Sequence, residues 1–168
     1  MRKRSLLQSL PFWALGCSAL LFSFTSCSKG PVAPPKEITI NADDKMKYDL
    51  NAFEVAPGQK ITVTLKNIGT SPKISMGHNF IVLKAGVNGL TFTEAGSTHA
   101  STDYIDPAKT TDVIAHTKLL GPGESDTITF TAPFVKGTYE YVCSFPGHYG
   151  GGMKGVMTVQ DPAAEPQK

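Results

Sequence analysis

Strict two-residue alternation over short runs is the feature that most narrows what this chain can form. Ile61-Thr62-Val63-Thr64-Leu65 sets Ile, Val and Leu on one side and Thr on the other, the pattern of a strand with one buried face. Thr127-Ile128-Thr129-Phe130-Thr131 repeats it, and so does Met157-Thr158-Val159. Phe80-Ile81-Val82-Leu83 is continuously apolar, which fits a central strand. Tyr139-Glu140-Tyr141-Val142-Cys143 places two Tyr and the Cys on one face. Pro57-Gly58, Gly121-Pro122-Gly123 and Lys136-Gly137 punctuate these runs as turns do. The spacing predicts an all-β fold, an antiparallel Greek-key β-sandwich. From about Gly86 to Thr111 the rhythm gives way to Gly, Thr, Ser and Asp, a flap insertion with a short helix expected around Ser101–Ile105.

Ahead of the strands, residues 1–26 combine Arg2, Lys3 and Arg4 with a mostly apolar run from Leu6 to Phe24. That is the plan of a secretory signal peptide, and Pro11 together with the modest apolar length weighs against a retained membrane span. Phe24-Thr25-Ser26-Cys27 resembles a bacterial lipobox, so Cys27 is the expected lipidation site, with ordinary cleavage near Ser26 as the alternative. Residues 27–36 then read as a Pro-rich tether, 37–160 as the folded domain and 161–168 as a disordered tail. The expected location is the periplasm or cell envelope of a bacterium, with a lipid anchor. Loss of the three leading cations takes 16 basic residues to 13, against 14 acidic ones. That balance leaves no basic stripe for nucleic acid.

The chemistry concentrates in Cys143-Ser-Phe-Pro-Gly-His148-Tyr-Gly-Gly-Gly-Met153. Thiolate, imidazole and thioether are ligands for a soft or borderline metal, and here they share one loop between two strands. Cys17 and Cys27 fall in the leading segment, which leaves Cys143 without a disulfide partner in the body. Pro146 and Gly147 let the loop turn back, and Gly150 to Gly152 let Met153 arrive from another side. A second imidazole would complete a trigonal Cys-His-His plane with a weak axial Met; His78, opening the Phe80 strand, is the best candidate. That ligand set is the blue-copper electron-transfer site. Every position is filled by protein, which suits a carrier and not an enzyme.

Three runs carry a more specific likeness: Met76-Gly77-His78-Asn79, Val113-Ile114-Ala115-His116-Thr117-Lys118-Leu119, and Cys143 to His148 with Met153-Lys154-Gly155 closing the loop. Through them the chain resembles the azurins, bacterial blue copper proteins of the cupredoxin fold, over most of Glu37 to Gln160. The resemblance implies one copper ion cycling between Cu(II) and Cu(I), with His78, Cys143 and His148 equatorial, Met153 axial and the Gly77 carbonyl opposite it. It implies that Asn79 ties the two ligand loops together and that the Phe145 amide donates to the Cys143 sulfur. It implies electron exit through the exposed edge of His148, within an apolar docking rim of Met46, Met76, Phe145 and Pro146. The implied partners are redox proteins, c-type cytochromes or copper or haem oxidoreductases. Three features depart from the family pattern. Four residues, where azurins usually have three, separate His148 from Met153; Lys36 and Gly58 stand where an azurin disulfide would be; Phe80 replaces a buried Trp. His116 reads as a surface or strand-edge residue, and His99 as a flap residue remote from the metal.

Other functions compete for the same residues. A copper-delivery protein of the envelope would use similar ligands but needs an open, exchangeable site. A copper enzyme such as a nitrite reductase would need a second His cluster, which four His in all cannot supply. Structural zinc accepts Cys and His as well.

Overall fold

The computed structural model describes residues 33–162. The signal peptide, Cys27 with most of the tether, and all but the first two residues of the tail lie outside the described residues.

Among the described residues, nine strands form two sheets: β1 (Lys36–Asp43), β2 (Lys47–Tyr48), β3 (Ala52–Val55), β4 (Lys60–Asn67), β5 (Ile81–Leu83), β6 (Val113–His116), β7 (Ser125–Thr131), β8 (Gly137–Val142) and β9 (Lys154–Val159). One sheet has the order β2-β1-β4-β7, the other β3-β9-β8-β5-β6. The all-β sandwich is as the alternation predicts, and the pairing adds one detail. Each sheet contains one parallel pair, β1 with β4 and β3 with β9, among otherwise antiparallel neighbours.

The alternation does the work expected of it. Ile61, Val63 and Leu65 of β4 are fully buried and face Ile38, Ile40 and Ala42 of β1 within one core. The intervening threonines meet their partners on β7 across the outer face, Thr62 with Thr129 at 3.2 Å and Thr64 with Thr127 at 2.9 Å. Such cross-strand pairs fix register, because a one-residue slip would turn the whole apolar set outward. From the other sheet, Tyr139, Tyr141, Cys143, Met157 and Val159 enter the same core.

β5 is buried on both faces, which explains its unbroken apolar run. Ile81, Leu83 and the neighbouring Val142 form a second cluster with Phe92 and Ile105 of the flap. The flap therefore covers the back of the second sheet. Its α-helix lies earlier than the sequence suggests. Besides the short α1 (Lys73–Met76), the chain has α2 at Gly89–Gly96, whereas Ser101–Ile105 holds only the end of a 3-10 turn (Ala100–Thr102) and irregular chain. The reason is local. Asn88 caps α2 by accepting from the Thr91 amide at 3.1 Å, and the helix so placed drives Phe92 into the second cluster. A further 3-10 turn, Pro107–Asp112, starts on an Asp106 cap that accepts from the Ala108 amide at 2.8 Å. No helix among the described residues is long and apolar enough to cross a membrane.

Candidate metal centre

Each donor reaches the site from a rigid element. β8 delivers Cys143, whose amide extends the ladder by donating to the Met153 carbonyl at 3.1 Å. His78 is pinned by an antiparallel bridge: its amide donates to the Leu120 carbonyl at 3.0 Å and its carbonyl accepts from the Leu120 amide at 2.7 Å. Two residues on, the Phe80 amide donates to the Thr117 hydroxyl at 3.0 Å. The Thr117-to-Leu120 stretch thus serves the site by holding the His78 strand. His148 lies on the loop after Cys143, its amide donating to the Phe145 carbonyl at 3.0 Å.

The donor atoms of His78, Cys143 and His148 all lie within 4.8 Å of one another, and all three residues are buried. The Cys143 sulfur is 3.4 Å from His148 Nδ1 and 4.0 Å from the Gly77 carbonyl oxygen. The His78 and His148 ring centres are 5.0 Å apart. Gly77 has no room for a side chain: a Cβ would lie 2.9 Å from both the Leu119 side chain and the Lys73 carbonyl oxygen. Met153 is fully buried in the core cluster that contains Cys143.

The electrostatics suit a cation. Both ring nitrogens of His78 are buried without a hydrogen-bond partner, a costly arrangement for a polar group that nothing binds. Burial pushes the Cys143 thiol up to about 12, against the opposing pull of the Asn79 and Phe145 backbone amides. Burial, and then the neighbouring His78, pushes His148 down to about 4. Burial also lowers His78, while the charges of Asp44 and Asp43, and an Asp43 backbone contact that falls outside hydrogen-bond geometry, act the other way. The metal-free pocket is therefore neutral, with unprotonated imidazole nitrogen ready to donate. One soft sulfur and two imidazoles, dry and converging, fit copper by donor chemistry.

Around the donors, Asn79 joins the His78 and Cys143 segments. Its side-chain oxygen accepts from the Ser144 amide at 2.9 Å, and its side-chain nitrogen donates to the Ser144 hydroxyl at 2.9 Å. Tyr48 was not legible as part of this shell. Its buried hydroxyl donates to the Asn79 carbonyl at 2.5 Å, from a two-residue strand that carries no motif.

The rim residues divide. Pro146 is exposed, Met46 and Met76 are half-buried, and Phe145 is 8% exposed, its ring centre 4.6 Å from that of His148. His148 itself is only 2% exposed. The exposed edge expected for it is corrected to a nearly covered one, because the Phe145 and His78 rings pack against it. His116 is exposed at the end of β6, an edge strand, and His99 sits in the flap 3.7 Å from Asp106.

The profile of a family described as copper binding proteins, plastocyanin/azurin family, matches residues 36–160. The outer membrane protein H.8 of Neisseria gonorrhoeae is 40% identical over 126 residues, 73% of this chain and 67% of that protein. An azurin of Achromobacter denitrificans is 36% identical over 150 residues, 88% of this chain and 99% of the relative. Among solved structures, a dithionite-reduced auracyanin from the photosynthetic bacterium Roseiflexus castenholzii superimposes with a TM-score of 0.66. It is 43% identical and spans 74% of this chain and 96% of its own.

Proposed function

The chain belongs to the plastocyanin/azurin family of copper-binding proteins, and from that premise we propose that it is a mononuclear blue copper electron carrier and not an enzyme. Its cofactor is one copper ion. The observation that carries the reading is the convergence of His78, Cys143 and His148 with the two ring nitrogens of His78 otherwise unpartnered. In this reading those three residues would hold the ion most strongly, with Met153 and the Gly77 carbonyl as the weaker donors.

Copper, when bound, supplies the Cu(II)/Cu(I) couple. The protein's part is to keep its own groups still. Cys143 is fixed by the β8–β9 ladder and His78 by its bridge to Leu120, so little has to move between oxidation states. The Asn79 and Phe145 amides favour the thiolate and so help Cys143 shed its proton as metal enters. His148, packed against Phe145 and 2% exposed where His78 and Cys143 are fully buried, is the donor nearest solvent, and a partner docking on its loop would come closest to the site there. Delivery, which needs exchangeable ligation, is disfavoured by the burial of all three donors. The partners are redox proteins, c-type cytochromes or copper or haem oxidoreductases. The setting is the bacterial envelope, with an anchor at Cys27, a reading that the kinship to an outer membrane protein supports.

The test is an absorption and EPR spectrum of copper-loaded protein from residue 28 onward. An intense thiolate-to-copper charge-transfer band is expected, and Cys143→Ser should abolish it while circular dichroism still reports the sandwich. A colourless Cu(II) form would refute the ligand assignment.

A further inference from the structure

Two consecutive non-glycine residues of the flap adopt left-handed backbone, Asp103 at φ 55° and Tyr104 at φ 60°. Single left-handed residues of this kind are costly, and a pair persists only where surrounding structure imposes it. Here the imposing contacts are visible. Tyr104 and Thr102 both donate their amides to the His99 carbonyl, at 2.9 and 3.1 Å, and Ile105 donates to Thr102 at 3.0 Å. Ile105 anchors the turn in the second core cluster. Gly96 lies against the Tyr104 backbone so closely that a Cβ would sit 2.9 Å from its carbonyl carbon and still nearer its oxygen.

What this turn presents is the Asp103 carbonyl. It accepts from the Asn79 side-chain nitrogen at 2.9 Å and from the Ser144 hydroxyl at 3.1 Å. Asn79 Nδ2 uses its second hydrogen on the Ser144 hydroxyl at 2.9 Å. The three groups close a ring in which every donor hydrogen is used and the Asp103 oxygen takes two bonds. Asn79 follows His78 in the chain and Ser144 follows Cys143. A bond ring on those two neighbours therefore acts on the separation of the two donors. The Tyr104 ring adds a second contact, edge-on to Phe145 at 5.1 Å, and Phe145 in turn packs on His148.

We infer that the Asp103–Tyr104 turn is a positioning device for the metal centre: a strap from outside the ligand segments that sets the His78–Cys143 spacing through the Asp103 carbonyl and presses Phe145 onto His148 through Tyr104. The inference deepens the copper-carrier reading and rests on it for the ligand roles. It makes the flap part of the site and not only a cover for β5.

Three variants test it. Gly96→Ala displaces the Tyr104 backbone from a distance; Ser144→Ala removes the hydroxyl from the ring; Asp103→Gly keeps both the carbonyl and the left-handed backbone. In metal-free protein, the reaction rate of the Cys143 thiol with an aromatic disulfide reagent reads how well the segment is held. Gly96→Ala and Ser144→Ala should react at least tenfold faster than wild type, and Asp103→Gly within twofold of it. In copper-loaded protein the first two should shift the charge-transfer spectrum and the reduction midpoint, and Asp103→Gly should not. Lowered thermal stability with unchanged thiol reactivity and unchanged midpoint in Ser144→Ala would overturn the proposal, whether or not Gly96→Ala folds. A wild-type protein with no charge-transfer band would refute the ligand reading instead, and the thiol rates would still decide whether the strap holds Cys143.

Discussion

Replacing His78 by leucine should stabilise the metal-free protein, the reverse of the usual result for a fully buried residue. A neutral imidazole carries one N–H donor and one lone pair, and both ring nitrogens of His78 are buried without a partner. Each unmet group costs about 1–3 kcal/mol. Leucine has a similar volume and no polar atom, and imperfect repacking returns up to about 1.5 kcal/mol. The two together cost about 2–6 kcal/mol, so the net gain is about 0.5–4.5 kcal/mol. With a urea slope of roughly 2 kcal/mol per molar, the unfolding midpoint should rise by roughly 0.2–2 M. The assay is urea unfolding followed by circular dichroism, with a chelator present. Zinc, a redox-silent stand-in that accepts the same ligands, should reverse the ranking. At a thousandfold excess over its dissociation constant it adds about 4 kcal/mol to the wild type, and little to His78→Leu. A metal-free His78→Leu protein less stable than wild type would refute the reasoning, since it would mean the two nitrogens are satisfied.

The same pocket predicts a pH dependence. Folding holds His148 at about 4 against an ordinary 6.5, through burial and then the nearby His78, and burial lowers His78 as well. Between those values the unfolded chain binds protons that the folded chain excludes. Metal-free stability is therefore full above about pH 6.5 and falls towards pH 4; denaturation midpoints that stay level from pH 7 to 4.5 would contradict this. His148→Gly should keep the fold and admit exogenous imidazole to the copper, read as a spectrum that changes on titration; a variant with the wild-type spectrum would assign the ligand elsewhere. Gly155→Ala should cost about 1–3 kcal/mol, because its Cβ would lie 2.5 Å from Tyr141 Cε2 and Tyr141 is held by its hydroxyl bond to the Leu50 carbonyl at 2.6 Å; a wild-type urea midpoint would show that β9 moves freely.

How much of this was legible depended on whether the information is local. β4 announced itself because its apolar and Thr positions alternate without a break, and the two faces it predicts are the two faces it has. The Cys143–Met153 loop was legible because its donors are few residues apart, and His78 because of its neighbours in a family motif. β1 was not singled out, although Ile38, Ile40 and Ala42 alternate, since Ala and Asn dilute the pattern and its parallel pairing with β4 has no local signal. The α2 helix was missed because it begins and ends on glycine and is fixed by the Asn88 cap and the burial of Phe92. Tyr48 reaches Asn79, 31 residues on, and the Asp103 carbonyl reaches Asn79 and Ser144. Contacts of that range belong to the packed structure, and no pattern within one segment encodes them. The burial of His148 is partly of the same kind, since the His78 ring arrives by tertiary packing while the Phe145 ring comes from its own loop.

The departure from azurin spacing, four residues between His148 and Met153, now has a physical account on the backbone side. The glycine run coils: the Gly151 amide donates to Gly147 at 2.9 Å, Gly152 to Tyr149 at 2.9 Å and Met153 to His148 at 2.9 Å. Gly147 at φ 85° and Gly152 at φ 94° supply the reversals that an L-side chain would resist. The additional residue is taken up in this turn and not passed on as slack, because Met153 leaves it with both main-chain groups engaged, its amide on His148 and its carbonyl on Cys143. The loop that lengthens the path between two donors is thus closed back onto them by the residue at its end. On the copper-carrier reading, the Met153 side chain starts from a backbone locked to the same two residues whose sulfur and nitrogen it would complement. Glycine content here serves rigidity: the flexible residues permit a tight coil, and the hydrogen bonds of the coil, not the chain length, decide where Met153 begins.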